Sequence, residues 1–200
     1  MAISLQKGQR IDLTKGNSAL NQLHVGLGWD PVSKSTGLLS GLFGGGKEKN
    51  IDCDASVIML QDDRFVNKND LIYFGNKNSL CRSIRHSGDN ITGEGEGDDE
   101  VIMVDLKSIP DKYNRLVFVV NIYDCKRRNQ DFGMIQNAFI RIVNKQTGEE
   151  MLKYNLSDNY AGLTTLIAGE IYRNGGDWKF AAIGDGTKDA NLTEIVAKYQ

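Results

Sequence analysis

A dense group of acidic side chains stands near the middle of the chain, in the run SGDNITGEGEGDDE at residues 87–100. Six of the twelve residues from 89 to 100 are carboxylates, and no basic residue separates them. Two like charges 4 Å apart repel by about 1 kcal/mol in water, and by several times more near a protein surface. Open solvent, a basic partner or a bound cation must offset this repulsion.

Calcium is the cation whose chemistry suits this run. It takes about six to eight oxygen ligands in flexible geometry, whereas magnesium requires a stricter octahedron and keeps its waters. The interleaved glycines let the backbone fold tightly, so that carbonyl and carboxylate oxygens can converge on one ion. The run is not an EF-hand, because Ile91 and Gly93 stand where the third and fifth ligands belong and Glu94 stands where glycine is needed. Without cysteine and with a single nearby histidine, softer metals are disfavoured.

Further carboxylates stand at the ends of predicted strands. Asp30 closes the run GLGWD, and IDCDAS places Asp52 and Asp54 two residues apart. Side chains at i and i+2 of a strand point to the same side. If these residues meet the acidic run, the carboxylates exceed the needs of one ion, so two calcium ions are expected.

The elements that must position these groups are mostly strands. Nine runs rich in β-branched or aromatic residues and bounded by Gly, Asn or Asp predict strands; they are residues 23–30, 55–60, 71–75, 101–106, 115–124, 138–144, 150–156, 165–174 and 177–184. The unalternating run LVFVV at 116–120 is expected to be buried on both faces. An apolar helical stripe follows at Leu192, Ile195, Val196 and Tyr199, after Asn191 as N-cap. The pattern predicts a mainly all-β fold, a two-sheet antiparallel β-sandwich with a short C-terminal helix.

Strict up-and-down alternation of these strands raises a geometric difficulty. It places Asp30, Asp52 and Asp54 at one end of the sandwich and the acidic run at the other. A strand overlooked between residues 65 and 87, or a kinked crossover, would bring the two groups together.

Composition restricts the functional class. The chain has 200 residues, and we expect a single domain over residues 1–200. A net charge of −2 gives no basic excess for nucleic-acid binding. The three cysteines form no CxxC pair, which argues against a disulfide framework or a zinc site and fits a reducing compartment. With no apolar leader and no apolar run near the roughly 18 residues of a membrane span, we expect a cytoplasmic protein.

Residues 31–50, PVSKSTGLLSGLFGGGKEKN, separate two strand runs and are rich in Gly, Ser and Lys. This composition predicts a flexible insertion. Its apolar centre, GLLSGLF, leaves open a contact with a partner or a membrane surface, although single exposed apolar side chains need no such explanation.

Several motifs together resemble the TerD family of bacterial tellurium-resistance and stress proteins. In the family's order they are SLQKGQRIDL, VGLGWD, IDCDAS, SGDNITGEGEGDDE, FVVNIYD, DFGMIQNAFIRIVN and GEIYRNGGDWKFAAIG, and they cover nearly the whole chain. The run GDN-x-TGEG-x-GDDE is the most specific of them. Two departures are the length of the 31–50 insertion and IDCD in place of the commoner DLD, which affects packing at Cys53 only.

The resemblance implies a calcium-binding β-sandwich, loosely like a C2 domain, without an established enzymatic activity. It implies no assignment of single carboxylates to one ion or the other. The metal-binding positions that it implies are Asp30, Asp52, Asp54, Asp89, Asn90, Glu94, Glu96, Asp98, Asp99 and Glu100.

The leading hypothesis is therefore a non-enzymatic calcium-binding module of the stress response. Its loaded state would recruit other stress or tellurium-resistance proteins, or associate with a membrane surface, with no nucleic-acid partner and no small-molecule substrate. A metal-dependent hydrolase of phosphate esters is an alternative, which needs an open coordination position and a shaped pocket. A purely structural scaffold stapled by calcium is another. The acidic run could also be a solvated, mobile segment without a metal.

Overall fold

The computed structural model describes residues 2–17, 19–32, 51–88, 97–156 and 158–200. Within these ranges twelve strands form two six-stranded sheets, and the inner faces of both sheets share one apolar core. This arrangement confirms the predicted mainly-β sandwich. Of the insertion predicted at residues 31–50, residues 33–50 lie outside the described residues, and Pro31 is the last residue of β3.

The first sheet, sheet A, has the spatial order β1-β10-β9-β3-β7-β6. Its strands are β1 (Ile3–Leu5), β10 (Glu150–Asn155), β9 (Ile135–Asn144), β3 (Gln22–Pro31), β7 (Glu100–Asp105) and β6 (Ile84–His86). β1 pairs with β10 in parallel, and the other neighbours in this sheet are antiparallel.

The second sheet, sheet B, has the order β2-β12-β11-β8-β4-β5 and is antiparallel throughout. Its strands are β2 (Arg10–Asp12), β12 (Asp177–Thr187), β11 (Thr165–Asn174), β8 (Arg115–Ile122), β4 (Cys53–Leu60) and β5 (Leu71–Ile72). The β11–β12 hairpin turns at Asn174–Asp177, where Gly175 has a φ of 65°. Glycine adopts this left-handed conformation without steric cost.

Strand β8 is buried on both faces, as its unalternating sequence predicts. Leu116 and Phe118 face the core between the sheets. Val117 and Val119 face outward and are covered by a second apolar cluster that includes Ile195 of the C-terminal helix.

That helix, α2 (Leu192–Val196), begins at the predicted N-cap. The Oδ1 atom of Asn191 accepts a hydrogen bond from the backbone N of Glu194 at 3.0 Å. In a capping box the residue three positions on accepts a hydrogen bond from the N-cap backbone N, whereas here Glu194 Oε2 accepts from the backbone N of Ala190, one residue before the N-cap, at 2.8 Å. In the described ranges the other helices are α1 (Cys125–Arg128) and four 3-10 turns at Lys68–Asp70, Leu106–Ser108, Phe132–Met134 and Ala197–Tyr199. Of the helices in the described ranges, none has the length and apolar character needed to cross a bilayer.

Each of the nine predicted strand runs contains an observed strand, although the run at 71–75 is reduced to β5. The strands that the sequence prediction missed are β1, β2 and β6, each three residues long. β6 is the strand overlooked between residues 65 and 87. Its addition brings the start of β7 to the same end of the sandwich as the end of β3 and the start of β4, which removes the geometric difficulty.

Candidate metal centre

Six of the ten predicted metal-binding residues are described, and they come from three strand ends at one end of the sandwich, called here the acidic end: Asp30 at the end of β3, Asp52 and Asp54 at the start of β4, and Asp98, Asp99 and Glu100 at the start of β7. The remaining four predicted residues lie outside the described residues: Asp89, Asn90, Glu94 and Glu96.

The electrostatic environment of Cys53 shows that carboxylates from different strands converge. This thiol is buried at the start of β4, and burial raises its pKa well above the ordinary value. The nearby charges of Asp54, Asp52, Glu100 and Asp99 raise it further, in that order. Carboxylates that are 45 or more residues apart in sequence therefore share one region of negative potential.

A β-bulge shapes the end of β3. Gly28 lies opposite Phe139 and Asp30 lies opposite Gln136, so two residues of β9 face Trp29 alone. One of these two is Asn137, whose φ is 56° and whose Nδ2 atom donates to Asp30 Oδ2 at 2.8 Å. Bulges bend a strand and redirect its side chains, and this one sets the direction of Asp30.

Asp99 is fastened to β3 by two hydrogen bonds. Its backbone N donates to Leu27 O at 2.9 Å, and its Oδ2 atom accepts from the backbone N of Trp29 at 2.7 Å. Burial raises the pKa of Asp99, and the charges of Asp30, Glu100 and Asp98 add to that rise, against the lowering effect of the Trp29 N–H. The carboxylate thus carries an electrostatic cost that a cation would relieve.

Asp98 makes contacts of a different kind. Arg141 on β9 binds it in a bidentate way, with 2.7 Å from Nε to Oδ1 and 2.9 Å from Nη2 to Oδ2. The Nε2 atom of His24 lies 3.2 Å from the same Oδ2. Only 5% of the Asp98 side chain is exposed. Both of its oxygens are already engaged by cationic or polar groups of sheet A.

The two glycines of the VGLGWD motif make room for these contacts. A Cβ atom on Gly26 would lie 2.2 Å from the Asp98 carboxylate, and one on Gly28 would lie 2.5 Å from the Phe139 ring and 2.8 Å from Gly97 O. The segment carrying Gly97 and Asp98 therefore lies directly over β3. Sequence reasoning missed this role, although two glycines at i and i+2 of a strand signal a close approach of another chain segment on one face.

Glu100 links the two sheets. Its Oε2 atom accepts a hydrogen bond from the backbone N of Ala55 on β4 at 2.6 Å. The Nδ1 atom of His86 accepts from the backbone N of Gly88 at 3.1 Å, so the proton of the neutral ring lies on Nε2. That Nε2 atom is 3.1 Å from Ala55 O and 3.3 Å from Glu100 Oε2. Nothing in the local sequence distinguishes His86 from an ordinary strand residue, so this contact was not predicted.

Asp54 lies opposite Asn121 in the β4–β8 ladder. Asn121 is 5% exposed, and its Oδ1 atom has no hydrogen-bond partner among the described residues. Asp52, two residues before Asp54, has its Oδ2 atom 3.5 Å from Arg128 Nη2 of α1. The start of β4 thus combines two carboxylates with a buried amide carbonyl.

A cleft of about 770 Å³ opens on the outer face of sheet B beside these residues. Asp54, Asn121 and Tyr123 line its side toward the acidic end, and Lys68 and Lys126 also line it. Its volume lies in the range of small-molecule sites, roughly 300–1,000 Å³.

The described carboxylates do not by themselves make a complete metal site. Among residues outside 33–50 and 89–96, no three His, Cys, Asp or Glu side chains are grouped closely enough to hold an ion. Further ligands would have to join them.

Comparisons with known proteins match this fold and these motifs. The TerD domain profile matches residues 1–199. Stress response protein SCP2 of Bacillus subtilis (strain 168) is 63% identical over 199 residues, covering 100% of both chains. Tellurium resistance protein TerZ of Serratia marcescens is 42% identical, covering 96% of this chain and 94% of the relative.

A solved structure supports the fold. The crystal structure of a homologue of telluride resistance protein (TerD) from Streptomyces coelicolor A3(2) superposes with a TM-score of 0.67 at 20% identity, covering 90% of this chain and 98% of that chain. Together with the profile match over almost the entire chain, these similarities show that the protein belongs to the TerD family.

Proposed function

We propose that the acidic end binds calcium, and that the calcium-bound form takes part in a stress response by contacting other proteins. The observation that carries the proposal is the convergence of carboxylates from β3, β4 and β7 on one end of the sandwich, where their charges add to the effect of burial in raising the pKa values of Cys53 and Asp99. Charges held this closely destabilise the fold unless a cation neutralises them.

The donor set supports calcium in particular. It consists of oxygen atoms, mostly carboxylates, together with the Asn121 Oδ1 atom that lacks a hydrogen-bond partner among the described residues. A buried acceptor without a partner costs about 1–3 kcal/mol. Calcium accepts amide carbonyl oxygens as ligands alongside carboxylates, so an ion beside Asp54 would satisfy this atom.

Five described carboxylates are the proposed contributors: Asp30, Asp52, Asp54, Asp99 and Glu100. Asp89, Asn90, Glu94 and Glu96 would complete the coordination, and so many oxygens suit two ions better than one. When bound, calcium would supply positive charge and fix the relative positions of the three strand ends. The bulge at Asn137 and the hydrogen bond between Glu100 and Ala55 would position these ligands.

Three exposed apolar side chains at the acidic end support a role in binding partners. Val32 and Met134 are 44% and 39% exposed, and the backbone N of Val32 donates to Met134 O at 2.8 Å. Tyr123, 46% exposed, follows β8 at the same end, where its backbone N donates to Asp52 O. A calcium-ordered acidic end framed by apolar side chains offers a surface for another protein of the same response, or for a membrane.

Calorimetric titration of chelator-stripped protein with calcium tests the proposal. We expect saturable binding, and a gain of about 2.7 kcal/mol in the free energy of unfolding at calcium a hundredfold above Kd. Magnesium at equal concentration is the control and should stabilise less. An unchanged melting temperature in millimolar calcium would refute calcium binding.

Co-precipitation of partners in calcium and in EDTA distinguishes a calcium-dependent binding module from a scaffold that calcium only stabilises. A calcium-dependent switch should lose its partners in EDTA, whereas a scaffold stapled by calcium should keep them as long as it remains folded. Flotation with anionic vesicles under the same two conditions tests the membrane form of the proposal.

The cleft beside Asp54 favours a second candidate function, a metal-dependent hydrolase of phosphate esters. Lys68 and Lys126 line the cleft and could contact an anionic group close to a metal held by Asp54. Turnover of phosphomonoester and phosphodiester model substrates with calcium or magnesium tests it, with Lys68→Ala expected to raise KM. Metal positions filled entirely by protein oxygens would dismiss it.

A further inference from the structure

We infer that Arg141 is a positioning residue that holds Asp98 against sheet A, and that Asp98 serves as this latch and not as a calcium ligand. The inference rests on the proposed calcium binding and deepens it. It concerns the way in which the acidic segment, residues 97–99 before β7, is held in place beside the proposed ligands Asp99 and Glu100.

The contacts of Asp98 leave little room for a metal. The guanidinium of Arg141 donates one hydrogen bond to each carboxylate oxygen of Asp98, at 2.7 and 2.9 Å. His24 Nε2 lies 3.2 Å from Asp98 Oδ2. The side chain is only 5% exposed. Bidentate pairs of arginine and carboxylate are among the strongest hydrogen-bonded contacts in proteins. A calcium ion would have to compete with the whole guanidinium.

Arg141 is itself held in place. Its Nη1 atom donates to Glu150 Oε2 on β10 at 2.8 Å. The hydrogen bond to Asp98 raises the pKa of Arg141 and Glu150 raises it further, so the guanidinium stays charged. Gly26 leaves the space that the Asp98 carboxylate occupies, because a Cβ at this position would lie only 2.2 Å from it. The latch therefore joins β9, β10 and β3 to the acidic segment.

The latch acts on the proposed ligands through one peptide unit. Asp99 follows Asp98 directly, its N–H donates to Leu27 O at 2.9 Å, and its carboxylate accepts from the Trp29 N–H at 2.7 Å. Releasing Asp98 from Arg141 would loosen these bonds and the direction of the Asp99 side chain. Residues that orient metal ligands are typically worth about 10- to 100-fold in metal affinity.

A double-mutant cycle with calcium as the probe tests the latch. We expect Arg141→Gln and Asp98→Asn each to weaken calcium binding about 10- to 100-fold without changing the number of ions bound. The double variant should be no weaker than either single variant, since both remove the same contact. Arg115→Gln is the matched control: it breaks another arginine–carboxylate pair, the one with Glu170 at 2.9 Å at the start of β8, away from the acidic end, and it should change affinity less than twofold.

The opposite pattern would overturn the inference. If Asp98 were a ligand, Asp98→Asn would lower the number of bound ions, and Arg141→Gln would leave the affinity unchanged or raise it by freeing the carboxylate. Should Arg141→Gln fail to fold, Arg141→Lys keeps the charge but cannot form the bidentate pair, and the same comparison applies.

Amide hydrogen exchange in the metal-free protein tests the latch separately from calcium binding. Arg141→Gln should speed exchange at the Asp99 amide, which donates to Leu27 O, and Arg115→Gln should change it far less. Unchanged exchange at Asp99 would refute the latch even if the wild type binds calcium. Faster exchange in a protein that binds no calcium would support the latch and refute the proposed function.

Discussion

The Oε2 atom of Glu100 on β7 lies 2.6 Å from the backbone N of Ala55 on β4, and this hydrogen bond joins the two sheets at the acidic end. His86 Nε2 lies 3.1 Å from Ala55 O, so both backbone polar groups of Ala55 are bonded to side chains of sheet A. Strand β5 pairs with β4 at Val57 and Ile58. Side chains from sheet A thus continue, at Ala55, the bonding that β5 provides further along β4.

Glu100→Met should therefore destabilise the protein even without calcium. Methionine has nearly the length of glutamate but no strong acceptor, so the buried Ala55 N–H would be left without its partner, at a cost of about 1–3 kcal/mol. Glu100→Gln keeps an acceptor and should cost less. Urea unfolding in EDTA measures both variants, and equal stability of Glu100→Met and wild type would contradict the proposed inter-sheet link.

Gly26→Ala tests the close approach of the acidic segment to β3. The added methyl would lie 2.2 Å from the Asp98 carboxylate, and overpacking of this kind costs about 1–3 kcal/mol. Gly176→Ala is the matched control, because a Cβ at that turn position meets no described atom within 4 Å and the residue has no positive φ. Equal midpoints for the two variants in urea would contradict the approach.

The strand pattern was predictable because it depends on local periodicity. The structure confirms the predicted bounds of β11 and the predicted burial of β8 on both faces, although β8 ends two residues earlier than the predicted run. β6 has three residues, too few to show an alternation. Without it, strict alternation of the predicted strands placed the acidic run at the end of the sandwich opposite Asp30, Asp52 and Asp54.

The contacts around Asp98 were not predictable in this way. The glycines of VGLGWD signal that something approaches β3, but the identity of that group depends on Asp98, more than seventy residues later, and on Arg141. In the sequence, Asp98 resembles each of its acidic neighbours. Tertiary pairing with a basic residue distinguishes it, and no local pattern contains that information. The role of Asp98 as a metal ligand stays a prediction from the sequence, and the double-mutant cycle with Arg141 tests it against the latch.

The three cysteines should differ in reactivity. Burial and four nearby carboxylates raise the pKa of Cys53. Cys81 is half-buried between two hydroxyls, with its Sγ atom 2.9 Å from Ser83 Oγ and 3.4 Å from Ser79 Oγ. Although burial alone would raise its pKa, these hydrogen bonds lower it below the ordinary value. Thiolates are the reactive form, so maleimide should label Cys81 first. Cys81→Ser should remove the fast phase, and fast labelling of Cys53 in peptide maps would contradict this assignment.

Asp189 should give the C-terminal helix a pH dependence. Burial alone would raise the pKa of Asp189, but hydrogen bonds from Lys198 and Thr187 lower it below the ordinary value. A carboxyl whose pKa is lower in the folded chain contributes stability above its unfolded pKa, about 3.9, and loses it as the pH falls through the folded value. Asp189→Asn should therefore cost up to about 1 kcal/mol at pH 7, as for partly exposed pairs, and much less near pH 2. Urea unfolding at both pH values, with exposed Asp62→Asn as control, measures this; a loss that is independent of pH would rule out the ionic contribution.

Asn121→Leu tests two effects of the buried Asn121 amide: its cost to the stability of the metal-free protein and its proposed role as a calcium ligand. The Oδ1 atom of Asn121 is buried without a hydrogen-bond partner among the described residues, and an apolar side chain of similar size removes a penalty of about 1–3 kcal/mol. In EDTA the variant should therefore unfold at the same or a higher temperature than the wild type. In calcium the order should reverse, because the variant cannot supply the amide oxygen beside Asp54. Melting curves under both conditions test this crossing, and Asn155→Leu, at an exposed position in β10, is the control and should not cross. A variant that gains as much from calcium as the wild type would remove Asn121 from the proposed coordination while leaving the carboxylates in place.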